Sequence, residues 1–158
     1  MGRYPLGIFG FGFLRGWPDE ATERKCALIQ VMLLKSPNVI RTEFEEFSNW
    51  CIIYFVRKDM AWHISQFPRD LQELAQSELK STMEYNAPTR GWLHDQIITG
   101  EVAVPPGISN TVENRLKNAG CRAFTHRHKH LEEPLLDHVH YRSEGNVTLE
   151  TVIDIITR

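Results

Sequence analysis

THRHKHLEEPLLDHVHYR, residues 125–142, holds five of the seven histidines of the chain. Its reading decides what kind of fold the rest must complete. Histidine alternates with other residues through His126, His128 and His130 and again through His138 and His140. A period of two is the signature of an extended strand, in which alternate side chains share a face. Two strands, Cys121 to His130 and Leu135 to Arg142, are therefore expected about a turn at Leu131 to Leu135. That turn pairs them antiparallel with His126 opposite His140 and His128 opposite His138. Four imidazoles would then share one side of a sheet, with neighbours along a strand ~6.8 Å apart. A slip of one residue would place one pair on the opposite side.

Working outward, Trp17-Pro18-Asp19-Glu20 has proline and two carboxylates where a helix begins, and the helix is expected to run to Lys35 before Pro37, with a short helix followed by a buried strand over the apolar Cys26 to Leu34 as the alternative. Three strands are expected next as a meander: Asn38 to Phe44, Trp50 to Val56, and Met60 to Gln66, where Met60, Trp62 and Ile64 alternate with Ala61, His63 and Ser65. Pro68 opens a stretch in which Leu71, Leu74, Ala75, Glu78 with Leu79, and Met83 fall at steps of three and four, predicting a helix to about Asn86. A short helix is expected at Trp92 to Thr99 and an extended piece or loop at Glu101 to Val104. Asn110 and Glu113 form a capping-box pattern for a helix that Gly120 closes. Residues Val147 to Ile156 fit a helix through Leu149, Val152, Ile153 and Ile156, and a strand through Val147, Leu149, Thr151, Ile153 and Ile155; the helix is preferred. The sum is an α+β chain, a mostly antiparallel sheet with several helices on one face, organised as one domain over residues 1–158.

Composition narrows the functional classes. A net charge of −2, with 42% hydrophobic and 24% charged residues, is that of an ordinary globular protein, so attraction to nucleic acid requires a local basic face. No apolar run reaches the ~20 residues needed to span a bilayer. The three cysteines, Cys26, Cys51 and Cys121, are too few for a disulfide scaffold, so a reducing, cytoplasmic compartment is expected, with Cys26 and Cys51 as core residues. Gly10, Gly12 and Gly16 in LGIFGFGFLRG are spaced one residue too far for a dinucleotide turn, and Pro18 would break the helix that must follow. No dinucleotide cofactor is expected.

The histidines carry the chemistry that remains. Neutral imidazole binds divalent metals, so His126, His128, His138 and His140 are candidate ligands for zinc or manganese, with Glu132 as the candidate acid. Gly120, His126, His128 and Glu132 resemble the first half of the cupin metal motif, but no second half follows His140. His138-Val139-His140, with His130-Leu131-Glu132 upstream, resembles the metal-binding strand of rolling-circle and relaxase nucleases, a likeness that implies a divalent ion and a tyrosine nucleophile. Its upstream spacing is one residue too long. Arg115, Lys117, Arg122, Arg127 and Lys129 form a basic run without an acidic residue from Asn114 to His130, a possible nucleic-acid contact. Cys121 is a candidate nucleophile if neighbouring cations lower its pKa and His126 or His128 serves as base. Trp17, Trp50, Trp62 and Trp92 are expected to anchor the core; an exposed one would point to a protein partner.

Every catalytic pattern lacks a required element. The leading expectation is a binding or regulatory protein without chemistry of its own, acting on another macromolecule and first of all on a protein. The alternatives are a metal-dependent phosphodiester-cleaving enzyme built on the histidines and a basic nucleic-acid binder using residues 115–130.

Overall fold

The computed structural model describes residues 20–47, 50–86, 97–130, 133–144 and 146–158. Among these residues, five α-helices and a six-stranded antiparallel sheet follow in the order α1 (Glu20–Leu34), β1 (Val39–Phe47), β2 (Trp50–Arg57), α2 (Lys58–Ser65), α3 (Arg69–Ala75), a 3-10 turn (Gln76–Glu78), β3 (Ser81–Asn86), β4 (Ile97–Val104), α4 (Ser109–Asn118), β5 (Arg122–His130), β6 (Glu133–Arg142) and α5 (Leu149–Thr157). The strand order is β1-β2-β3-β4-β6-β5, so β1 to β4 run as a meander and β5 forms the far edge. The expected α+β architecture is present. The glycine stretch at 6–16 and residues 92–96 of the expected short helix lie outside the described residues.

The main core lies between the sheet and α1, α4 and α5. From α1 come Cys26, Ile29 and Leu33, at helical spacing on its inward side. From the strands come Cys51, Ile53 and Phe55, then Met83 and Tyr85, then Ile98, Val102 and Val104, then Val139 and Tyr141, each set at a period of two. A second cluster sits on the opposite face at one end of the sheet, where Met60 and Ile64 of α2, Ala75 of α3 and Leu79 cover Val56, Ala103 and Leu136. The other end of that face has no helix over it among the described residues.

Two expected elements change type. Met60 to Gln66 is helical, because Met60 and Ile64, one turn apart, are the buried pair while Trp62, which strand alternation would have placed beside them, is 67% exposed. The long helix expected after Pro68 ends at Ala75, and Ser81–Asn86 is a strand in which Ser81, Met83 and Tyr85 are buried in alternation with half-buried Thr82, Glu84 and Asn86. The apolar residues of 71–83 satisfied a helical period only because the end of one element abuts the start of the next. Ile97 to Thr99 belongs to β4, not to a helix.

Helix ends show which local chemistry was used. At α5, Thr148 Oγ1 accepts a hydrogen bond from Thr151 N at 3.2 Å, and Leu149, Val152, Ile153 and Ile156 are buried, which settles the ambiguous tail as helix. At α4 the expected capping box is not formed: Glu113 instead accepts from Lys117 Nζ at 2.9 Å and from Thr125 Oγ1 at 2.8 Å. Gly120 does close α4, at φ +104°, with Cys121 N bonded to Leu116 O at 2.9 Å and Gly120 N to Lys117 O at 3.0 Å, a Schellman ending that favours glycine.

Arg57 is only 1% exposed. Its Nε and Nη2 donate to the two carboxylate oxygens of Asp59 at 3.0 and 2.8 Å, and its Nη1 donates to Ile156 O at 3.0 Å. A buried carboxylate–guanidinium pair that loses one member leaves the other charged and unsolvated. Asp59→Asn, which leaves the buried guanidinium without its counter-charge, is therefore expected to cost about 3–5 kcal/mol in urea unfolding, and Arg57→Met, which also leaves the Ile156 and Arg158 carbonyls without their donor, a similar amount; sub-kcal effects for both would contradict the assignment.

Candidate functional site

Strands β5 and β6 pair as expected, but two residues out of the expected register. His126 stands opposite His138, Phe124 opposite His140, Arg122 opposite Arg142 and His128 opposite Leu136. The reason is the turn: pairing continues to His130 and Glu133, so the connection is tighter than the five residues expected. A shift of two preserves the face. His126, His138 and His140 consequently share the side of the sheet away from the main core, together with Phe124, Arg122 and Arg142.

The neighbouring strand β4 supplies a residue that sequence reasoning missed. Glu101 pairs with His140, and its carboxylate lies between two imidazoles, Oε1 3.5 Å from His138 Nδ1 and Oε2 3.4 Å from His140 Nδ1. His138 Nε2 is 3.1 Å from the Glu78 carbonyl oxygen. A carbonyl only accepts, so Nε2 carries the hydrogen and Nδ1 faces the carboxylate. His138 is buried, at the margin of the α2–α3 cover, whereas His126 is exposed. Phe124 stacks on His140 with ring centres 4.8 Å apart and planes 10° apart, and His126 lies 6.1 Å from the same imidazole. Only the alternation of Glu101 with buried Val102 and Val104 marked it as outward, and nothing in the sequence set its register against β6.

Among the described residues no three histidine, cysteine or carboxylate side chains converge as metal ligands. The side chain of His128, and Glu132 altogether, lie outside the described residues. His126, His138 and His140 are brought together as a ring cluster around Glu101, an arrangement suited to hydrogen bonding and stacking.

The four described basic residues of the run do not form one surface. Lys117 bonds to Glu113 at 2.9 Å on the helical side, where the hydrogen bonds from Lys117 and Thr125 hold the Glu113 carboxyl below the usual carboxylate range. Arg127 also reaches the helical side, to Asp137 Oδ1 at 3.0 Å; Asp137 is fully buried and accepts from Ser109 Oγ at 2.6 Å. Arg115 is exposed on α4, and the side chain of Lys129 lies outside the described residues. Arg122 alone of the described four is on the open face, 3.6 Å from Glu144.

The cysteine expectations need correction. Cys26 and Cys51 are joined as a disulfide that ties α1 to β2, both fully buried, so the cysteine count no longer argues for a reducing compartment. Cys121 is a free thiol packed in the main core, and burial, with Glu144 adding, pushes its pKa up instead of down. It sits on the helical side, away from His126. The tryptophan expectation also changes, since Trp62 is the most exposed large apolar side chain among the described residues. No helix among the described residues is long and apolar enough to cross a membrane.

No protein-family model, curated protein or solved structure matches this chain.

Because its folded pKa is depressed, Glu113 contributes stability above the ordinary carboxylate pKa of about 4.3 and loses it as pH falls through the lower folded value. Glu113→Gln is expected to melt below the wild type at pH 7, by about 1–2 kcal/mol, and the gap to narrow steadily between pH 4 and pH 2. A gap independent of pH would contradict the ionic assignment.

Proposed function

We propose that this chain is a binding protein that acts through another macromolecule, and that a protein is the partner of its helical outer surface. The observation that carries the reading is Trp62. It projects from α2 with 67% of its surface exposed, although Met60 and Ile64, two positions to either side, are packed in a core. An indole held in water by a fixed helix is an unfavourable arrangement unless a partner covers it, and tryptophan is the residue type most enriched among interface hot spots. Leu28, Val31 and Leu34 support the reading in the same way. They recur at steps of three along the outer side of α1, each about half-exposed, so α1 is apolar on both sides. Metal-dependent cleavage of phosphodiesters by His126, His128, His138 and His140 draws no support from the described residues.

The test compares wild-type protein with Trp62→Ala and with Ile97→Ala, an exposed apolar control elsewhere. Proteins enriched on the wild type are purified and titrated one at a time. Loss of a hot-spot indole costs ~2 kcal/mol or more, about thirty-fold in Kd. A partner whose affinity falls by that order in Trp62→Ala, with the control and the melting temperature unchanged, supports the reading; partners that all bind the two proteins equally would overturn it.

A further inference from the structure

We propose that the open face of the β5–β6 ribbon is a docking surface for single-stranded nucleic acid, separate from the Trp62 surface and independent of it. Three successive rungs of the ribbon carry the argument: Arg122 opposite Arg142, Phe124 opposite His140, and His126 opposite His138. Rungs on one face of a ribbon are about 6.8 Å apart.

The arginine rung is the anomaly. Like charges directly opposite one another on a strand pair are destabilising, and here both side chains are exposed. The nearest anion to Arg122 is Glu144 at 3.6 Å, itself half-exposed, and the residue beside Arg142 on β4 is Thr99, which is neutral. An external anion between the two guanidinium groups removes the repulsion, and the planar fork of arginine suits a phosphate.

The ring rung supplies the second half of the recognition. Phe124 is 61% exposed and already stacked on His140. Its backing ring is held by Glu101, so the phenyl is a supported flat surface, not a loose side chain. An unpaired base can stack on such a surface, whereas bases within a duplex are already stacked on each other. His126, exposed on the next rung, extends the ring surface along the strand. The acidic groups on this part of the face are Glu101, engaged by two imidazoles, Glu144, and Glu84 two strands away from Arg142. The anionic side of the sheet, Glu43 and Glu45 on β1, lies at the opposite edge. The ligand is thus placed along the outer two strands and not across the whole sheet.

The experiment is fluorescence anisotropy of a labelled twelve-nucleotide oligothymidylate at 50 mM salt. Phe124→Ala is expected to weaken binding about ten-fold or more, as loss of one base stack does, and Phe124→Trp to preserve or tighten it. Arg122→Ala with Arg142→Ala should weaken it and reduce the slope of log affinity against log salt by about 1.4, from two lost phosphate contacts on a single strand. The double variant should melt no lower than the wild type, which separates lost contact from unfolding. Arg115→Ala should change nothing, and a duplex of equal length should bind more weakly. The proposal is overturned by absence of binding at 50 mM salt, by binding that neither variant reduces, or by competition from thymidine monophosphate or polyglutamate equal to that of unlabelled oligothymidylate, which would point to a small anion or an acidic protein segment instead.

Discussion

The guanidinium of Arg57 holds the two sides of the sheet to each other. It stands at the last residue of β2, where the strand leaves the sheet, and it is almost wholly removed from water. On the helical side it receives the carbonyls of Ile156 and Arg158 at the end of α5, whose last carbonyls would otherwise be buried without donors; Ser36 Oγ and Asn38 Nδ2 provide for Thr157 O at 3.4 and 3.2 Å. On the other side it grips Asp59, and Asp59 N in turn bonds to Asn38 Oδ1 at 3.1 Å. One side chain therefore satisfies carbonyls at the end of one helix and holds a first-turn carboxylate of another. Placing a cation at a helix C-terminus is favourable in itself, and here the partial negative charge of α5 shares the cation with a carboxylate.

This junction explains why α2 is not the strand that its alternation suggests. Met60 and Ile64 satisfy both periods over so short a window, and Trp62 between them made the strand alternation look complete. The decision comes from residues far away in the chain: Arg57 and Asp59 bring the backbone round, and Val56, Ala103 and Leu136 provide an apolar floor for Met60 and Ile64 at helical spacing. The same lack of long-range information hid β3, whose Met83 continued a helical pattern from α3. Elements with strong local signals behaved differently. Trp50–Arg57, rich in aromatic and β-branched residues, is an internal strand, and Gly120 ends α4. Local chemistry was legible wherever one residue type had only one favourable use.

Legibility of the candidate site divides along the same line. Which face each histidine of 126–140 takes follows from parity, and parity survives a register error of two. Which residue stands opposite it depends on turn length, and the turn proved shorter than five residues. Glu101 could not be found from its surroundings in sequence, because its relation to His138 and His140 exists only once β4 lies against β6. The basic run was legible as a run and misleading as a surface. Successive residues of a strand point to opposite faces, so Arg122 and Arg127, five positions apart, serve different sides of the sheet.

The sheet is unevenly covered, and that unevenness determines where binding can occur. Along its helical face the alternating residues from β2 to β6 are mainly apolar, with Ser81 and Asp137 as buried polar exceptions, and are covered by α1, α4 and α5. Among the described residues, α2 and α3 cover the opposite face at the end that holds Val56, Ala103 and Leu136. Beyond that margin the same strands carry Glu43, Tyr54, Thr82, Glu101, His140 and Phe124 in one continuous row across the sheet. A row that runs from a carboxylate at β1 to an imidazole at β6 and an exposed phenyl at β5 is not what core formation selects. His138 sits where the two regimes meet, with one nitrogen on the Glu78 carbonyl of the cover and the other toward Glu101 on the open side. The closed end supplies the apolar burial that the fold requires, which leaves the open end free to keep a charged rung and an exposed ring that cost it stability.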